Sequence, residues 1–298
     1  VGLGVDAIGV NCSLGPDQLA PIVEEIGKWS DIPVIVKANA GLPDPVTNTY
    51  NVLPDEFADT CKEMVKYGAK VLGGCCGTTP AYVAKLKEMV ATVNASVVKK
   101  KPRQLAVCTP LKTVVVDQPR IVGERINPTG KKRFKQALRD NDMNYILSQA
   151  IEQIDAGADI LDVNVGSPDI DEKEMMVKVI KALQAIVDVP LQIDSTKPEV
   201  LEAALRVYNG KPIVNSVNGE EEVLDTILPI VAKYGGAVIG LALDENGIPP
   251  TAEGRVEIAK RIRDKAMSYG IPKEDIIIDC LTLTVQQNKK LLQKHLKL

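Results

Sequence analysis

Short apolar, β-branched runs recur along the chain. Each ends in small or polar residues and is followed by a stretch with helical periodicity. The runs Ala7–Val10, Pro33–Lys37, Lys70–Leu72, Arg120–Val122, Asp159–Val163, Leu191–Ile193, Pro212–Val214, Ala237–Leu241 and Asp275–Ile278 predict strands. The intervals Asp17–Lys28, Pro54–Tyr67, Pro80–Val93, Asn144–Ala156, Asp171–Val187, Pro198–Val207, Glu220–Tyr234 and Glu253–Tyr269 predict helices. Pro80 after Thr79 and Pro198 shortly after Thr196 suit the first turn of a helix, and Gly68, Gly235 and Gly270 sit where helices stop.

Alternation of strand and helix predicts βαβ units and a parallel sheet. The strands are almost continuously apolar, as expected where both faces are covered. No G-x-G-x-x-G follows a first strand, which argues against a dinucleotide fold. Polar clusters fall instead at the carboxyl ends of successive strands, where a (β/α)8 barrel keeps its site. The stretch Val97–Pro119, with Lys99, Lys100, Lys101, Pro102 and Arg103 followed by Pro110 and Pro119, lacks periodicity and predicts an interdomain linker. The predicted organisation is therefore a first α/β module at 1–98, a linker at 99–118 and a second module at 119–298.

Composition narrows the chemistry. The 298 residues are 45% hydrophobic and 25% charged, ordinary for a globular chain, so disorder is excluded. A net charge of −3 implies no nucleic-acid or anionic-membrane partner, and no apolar run approaches a membrane span. The only histidine is His295, which excludes a Ser-His-Asp arrangement in the body of the chain and any multi-histidine metal site. Aromatics at 3% argue against a stacking platform for single strands. No signal peptide is visible, which predicts a cytoplasmic protein. A first residue of Val already entering a strand predicts a piece of a longer polypeptide.

The six cysteines are unequal. Cys61 lies on a helix and is expected in the core, and Cys108 lies in the predicted linker. Cys12, in Gly9-Val10-Asn11-Cys12-Ser13, ends the first strand, while Gly73-Gly74-Cys75-Cys76-Gly77-Thr78-Thr79-Pro80 ends the third. Neighbouring residues on a regular strand face opposite ways, so Cys75 and Cys76 can share a metal only if the glycines let the chain bend. Three thiolates with a fourth position open is the pattern of catalytic zinc. Three buried thiols or a vicinal disulfide are the alternatives. These two segments resemble the zinc-binding homocysteine S-methyltransferase domain. The resemblance implies that Cys12, Cys75 and Cys76 hold Zn2+, that the homocysteine thiol takes the open position, and that three βα units here match the last three of that barrel. Asn39, in Lys37-Ala38-Asn39-Ala40-Gly41-Leu42-Pro43, is a candidate oxygen ligand or a loop cap.

The second module carries Gly123-Glu124-Arg125-Ile126-Asn127, Asp162-Val163-Asn164-Val165-Gly166, Ile193-Asp194-Ser195-Thr196, Asn215-Ser216-Val217-Asn218-Gly219 and Ile278-Asp279-Cys280. Such residues also cap loops and helices, but five in register predict a binding mouth for a neutral, donor-rich heterocycle. They resemble the pterin-binding barrels, dihydropteroate synthase and, more closely, the methyltetrahydrofolate methyltransferases. The resemblance implies that Asp194, Asn215 and Asp279 hold the pterin of 5-methyltetrahydrofolate, and that Glu124, Asn127, Asp162 and Asn164 line the site. Lys131, Lys132 and Arg133 read as a solvated basic helix start rather than a contact for the folate tail.

A zinc–homocysteine module followed by a methylfolate module is similar to the order in the cobalamin-dependent methionine synthases. What that implies is methyl transfer from 5-methyltetrahydrofolate via cobalamin to homocysteine, with methionine as product and a cobalamin-binding domain as partner. Alternatives are a corrinoid-protein methyltetrahydrofolate methyltransferase with an added zinc module, and a non-catalytic ligand- or zinc-binding fragment. The resemblance also marks departures. Both TIM-barrel modules are incomplete, holding the last three βα units of the first and the first six of the second. No D-x-H-x-x-G cobalamin signature exists, and the basic amphipathic tail Gln286–Leu298 matches nothing in the family. Unpaired sheet edges predict little or no activity of this polypeptide alone, and turnover with added cobalamin would contradict that expectation.

Overall fold

A computed structural model of the chain describes residues 5–94 and 100–282, so the tail Gln286–Leu298 and part of the predicted linker lie outside the described residues. The chain divides into two compact units, one within 3–103 and one from 104 onward.

The first unit runs β1 (Ile8–Asn11), α1 (Pro16–Trp29), β2 (Val34–Ala38), α2 (Pro54–Lys66), β3 (Ala69–Gly74) and α3 (Pro80–Val90). The strands form a parallel sheet in the order β1-β2-β3, with Val10 opposite Val36 and Lys37 opposite Gly73. Its core gathers Leu19, Val23, Val34, Val36, Phe57, Cys61, Met64 and Leu86. Phe57 meets Tyr82 edge-on with ring centroids 5.4 Å apart. Cys61 is buried as expected.

The second unit begins with β4 (Ala106–Cys108) and β5 (Thr113–Val115), an antiparallel hairpin. It continues through β6 (Val122–Ile126), α4 (Lys132–Asp140), α5 (Met143–Asp155), β7 (Ile160–Val163), α6 (Glu172–Gln184), β8 (Leu191–Asp194) and α7 (Pro198–Val207). Then follow β9 (Ile213–Val217), α8 (Glu221–Tyr234), β10 (Ala237–Leu241), α9 (Ala252–Ser268) and β11 (Ile276–Asp279). The strands β6 to β11 form one parallel sheet in sequence order, the arrangement of a (β/α)8 wall that stops before closure. Helices cover its outer face, and Leu161, Val179, Ile180, Leu183, Val200, Leu224 and Ile262 build the core between.

Coverage of both strand faces holds in the middle of this sheet, where all four residues of β7 are buried. It fails at the margin strand β6, as at β1 in the first unit's sheet: among the described residues each pairs on one side only, and most of its residues are exposed or half-buried. The first strand of the six-stranded sheet also starts later than the sequence predicts, so Glu124 and Arg125 lie within β6. The sequence marked only the basic start of α4 and not its extent, although Phe134, Ala137 and Leu138 at i, i+3 and i+4 form its buried stripe.

The expected linker is structured on both sides of the unit boundary. Lys100 Nζ donates to the carbonyls of Gly27 (2.8 Å) and Ser30 in the first unit. Past residue 103, the hairpin buries Val107 and Val114 against Ile160, Ile213 and Ala237, so it seals the amino-terminal end of the barrel wall. Cys108 and Lys211 exchange backbone hydrogen bonds of 2.9 Å in both directions, and the Tyr208 hydroxyl donates to the Cys108 carbonyl at 3.0 Å. The strands are too short for periodicity to reveal, and their apolar partner is the end of a sheet distant in sequence. Val107→Ala should lower stability by about 1–3 kcal/mol, measured by urea unfolding, while an unchanged midpoint would show that the hairpin adds nothing.

Candidate metal centre and ligand mouth

In the first unit the three candidate cysteines come together. The sulfurs of Cys12, Cys75 and Cys76 all lie within 4.8 Å of one another. Cys12 and Cys76 Sγ are 3.5 Å apart, and Cys75 and Cys76 Sγ are 3.9 Å apart. Tetrahedral zinc with bonds of about 2.3 Å requires sulfurs about 3.8 Å apart, so the donor set and its spacing fit zinc. The cysteines are free thiols, so the vicinal disulfide is not formed.

The backbone explains how adjacent cysteines serve one centre. Cys75 and Cys76 follow the end of β3, in a turn where strand alternation no longer applies. Thr78 Oγ1 donates to the Cys75 carbonyl at 2.7 Å. A Cβ on Gly74 would meet that oxygen at 2.3 Å. Gly77 has φ +78°, and its open side is filled by the Tyr50 ring. Cys12 itself has φ +63°, a conformation costly for a non-glycine residue. The carboxyl end of β2 ties both cysteine segments down, because Lys37 O accepts from Cys12 N–H and Ala38 O from Cys75 N–H, each at 2.8 Å. Asn39 is buried, and its Oδ1 accepts the Cys76 N–H at 3.1 Å. That oxygen is occupied, so the loop-capping role is the one the geometry supports.

Thiol acidities diverge within the cluster. The Ser13 backbone N–H, followed by the neighbouring thiols, pulls Cys12 down to about 7. Hydrogen bonds from Cys12 and Cys75 push Cys76 up instead, because the thiols compete for one negative charge. Tyr50, overlooked in the sequence, is raised by burial and then by the cysteines beside it.

In the second unit the carboxyl ends of β6 to β9 form the mouth. Asp162 on β7 is buried and accepts from Gln192 Nε2 and, at 3.2 Å, from Asn215 Nδ2. Asn164 Nδ2 donates to Asp194 Oδ2 at 2.9 Å, while its Oδ1 accepts from Gly166 N at 2.8 Å. Asp162, Asn164, Asp194 and Asn215 thus form paired contacts across three neighbouring strands. Asn127 is buried, but its Oδ1 caps the Thr129 N–H at 2.8 Å. Asp279, on the margin strand β11, accepts from Leu281 N in its own loop at 2.7 Å. Among the described residues no hydrogen bond joins Asp279 to the other four.

The basic segment is the helix start that was expected, with Lys132 and Arg133 exposed, but Lys131 is tied back to the mouth. Lys131 Nζ reaches back to Glu124, at 3.0 Å from Oε2 and 2.8 Å from the carbonyl, while Arg133 stacks over Tyr145 at 4.1 Å. Glu124, lying inside β6, points a carboxylate where Lys131 can neutralise it. Two groups escaped the sequence reading altogether. Gln192 stands two residues before Asp194 and so on the same strand face. Glu172 accepts from Ser195 Oγ at 2.6 Å and pairs with Lys197 at 2.9 Å. Period-two spacing was the available signal for Gln192.

Electrostatics follow from burial. Loss of water pushes the Asp162 carboxyl up to about 6, and the charges of Asp194 and Glu124 add to the rise. Asp194 is raised as well, by burial first and then by the charges of Glu124 and Glu172. A raised carboxyl binds its proton more tightly in the folded state. Its stabilising contribution is therefore complete below the unfolded value near 4 and is lost as pH rises through about 6. Asp162→Asn should flatten that fall, which amounts to roughly 3 kcal/mol. Urea unfolding at pH 4 to 8 checks it, and identical slopes in both proteins would contradict it.

A cysteine trio on one parallel sheet and a carboxylate–amide mouth on another mark a two-unit α/β protein. The chain belongs to the pterin binding enzyme family, whose model matches residues 123–297. The homocysteine S-methyltransferase model matches residues 1–90. The chain is 34% identical over 299 residues to the methionine synthase of Mycobacterium leprae, covering 95% of this chain and 25% of that protein. It is 34% identical over 294 residues to that of Mycobacterium tuberculosis, with the same coverage. It therefore spans about a quarter of the length of these relatives. A solved dihydropteroate synthase from Yersinia pestis is 17% identical with a TM-score of 0.48, covering 65% of this chain and 71% of that one. Another from Xanthomonas albilineans is 22% identical with a TM-score of 0.47, covering 64% and 71%. No helix among the described residues is long and apolar enough to cross a membrane.

Proposed function

We propose that this chain is part of a methyltransferase that moves the methyl group of 5-methyltetrahydrofolate to homocysteine, giving methionine and tetrahydrofolate. The observation that carries the reading is one chain holding both a three-sulfur cluster within 4.8 Å and a pterin-family mouth. Cys12, Cys75 and Cys76 would hold zinc, which keeps a substrate thiol ionised at neutral pH. The end of β2 and Asn39 just after it hold the backbone of all three cysteines.

In the mouth, Asp194, Asn215 and Asp279 would hold the pterin ring, with Glu124, Asn127, Asp162 and Asn164 around it. Carboxylates and amide oxygens accept the ring's N–H groups, and their burial strengthens each bond. Asp279 has one oxygen held by the Leu281 N–H and would offer the other. The cobalamin that belongs to this chemistry would be held by a separate domain of a longer protein. The thiols must stay free to hold zinc, which suits a reducing cytoplasm.

The test is calorimetry with the zinc-loaded chain. Homocysteine and methyltetrahydrofolate should each bind one to one, in either order of addition. Failure of either ligand to bind would overturn the reading.

A further inference from the structure

We propose that Gln192 is a positioning residue of the ligand mouth: acting through Asp162, it holds the Asn215 amide with its oxygen toward the ligand, so that this position selects an N–H donor. The proposal deepens the folate reading and rests on it.

Three neighbouring strands supply the parts. Register sets Asp162 on β7 opposite Gln192 on β8, and Asp194 on β8 opposite Asn215 on β9. Gln192 Nε2 and Asn215 Nδ2 both donate to the same oxygen, Asp162 Oδ1. Asp162 is 3% exposed and Gln192 8%. A carboxylate has no proton to give, so each amide must turn its nitrogen toward it. The Asn215 Oδ1 is thereby turned away from Asp162.

That oxygen accepts no hydrogen bond from any described residue. It is not sealed inside either, since Ser167 Oγ is the one buried side-chain polar atom without a partner among the described residues. Beside it, Asp194 has one oxygen held by Asn164 and the other without a described donor. Two open acceptors at the same level on adjacent strands match a ligand edge with adjacent N–H groups.

Gln192 is needed because Asp162 is under pressure to take a proton. Burial drives this, and so do the charges of Asp194 on β8 and Glu124 on β6, the latter paired with Lys131. The Gln192 hydrogen bond opposes it. Protonated Asp162 could donate to Asn215 Oδ1, which would rotate the amide and present its NH2 to the ligand. Two donors would then face each other.

The test measures methyltetrahydrofolate affinity in the full chain at pH 7, with circular dichroism melting to confirm folding. Gln192→Met keeps the side chain's length and removes the amide. It should weaken binding at least about tenfold. Asn215→Ala should weaken it similarly, and the double variant should be no weaker than Asn215→Ala alone. Wild-type affinity in Gln192→Met, or additive losses in the double variant, would overturn the proposal. Should Gln192→Met fail to fold, Gln192→Glu serves in its place. Its loss at pH 8 should diminish toward pH 5, as the carboxyl pair takes up a shared proton, and a loss independent of pH would be equally fatal. Absence of binding by the unaltered chain would instead sink the folate reading itself.

Discussion

Cys75→Ser should strip the chain of most of its zinc. The unaltered protein is expected to carry about one equivalent, and the variant's affinity should fall at least about 100-fold. The reason is geometric as well as chemical. The three sulfurs already stand near the spacing of a tetrahedral centre, at 3.5 and 3.9 Å for two of the pairs. A serine hydroxyl is shorter, harder and not ionised near neutrality. Cys61→Ser is the matched control. Burial pushes that thiol up to about 12, so it stays protonated in the core, and its loss should lower stability without changing zinc content. Affinity in the unaltered chain should also rise with pH, because zinc binding must displace the protons that crowding holds on Cys76. Metal analysis with chelator competition reads all three results. Equal zinc in Cys75→Ser would refute the metal centre.

Asp194→Ala should weaken methyltetrahydrofolate binding by about 10- to 100-fold, the worth of a hydrogen bond to a charged, half-buried acceptor. Its effect on folding should differ in sign. Asp194 adds to the charge that raises Asp162, so its removal relieves repulsion in the folded state above pH 6. Binding should therefore fall while stability at pH 8 holds or rises. That combination separates a ligand contact from a structural brace, for which both would fall together. Equal affinity in the two proteins would remove Asp194 from the site.

Much of this was legible in the linear chain. The alternation of apolar runs and amphipathic stretches located every strand of the two parallel sheets, and the limits of α7 were read to the residue. The cysteine segments and the polar strand ends announced themselves because short motifs at strand ends need no distant partner to be recognised. The hairpin β4–β5 escaped because its two three-residue strands bury Val107 and Val114 against the sheet's far end. Gln192 escaped because a lone glutamine in a strand carries no motif, and only its pairing with Asp162 gives it meaning.

By itself, then, the sequence determined the α/β class, the order of two modules and the residue types available for chemistry. These follow from local periodicity and composition. The tertiary structure alone decided which of those residues share a charge, an amide or a metal-sized space. The Lys131–Glu124 pair, the occupied oxygen of Asn39 and the inward turn of Asn215 toward Asp162 are all set by strand register and loop path. Register brings together side chains tens of residues apart, and no local pattern encodes a contact whose other half is read so much later along the chain.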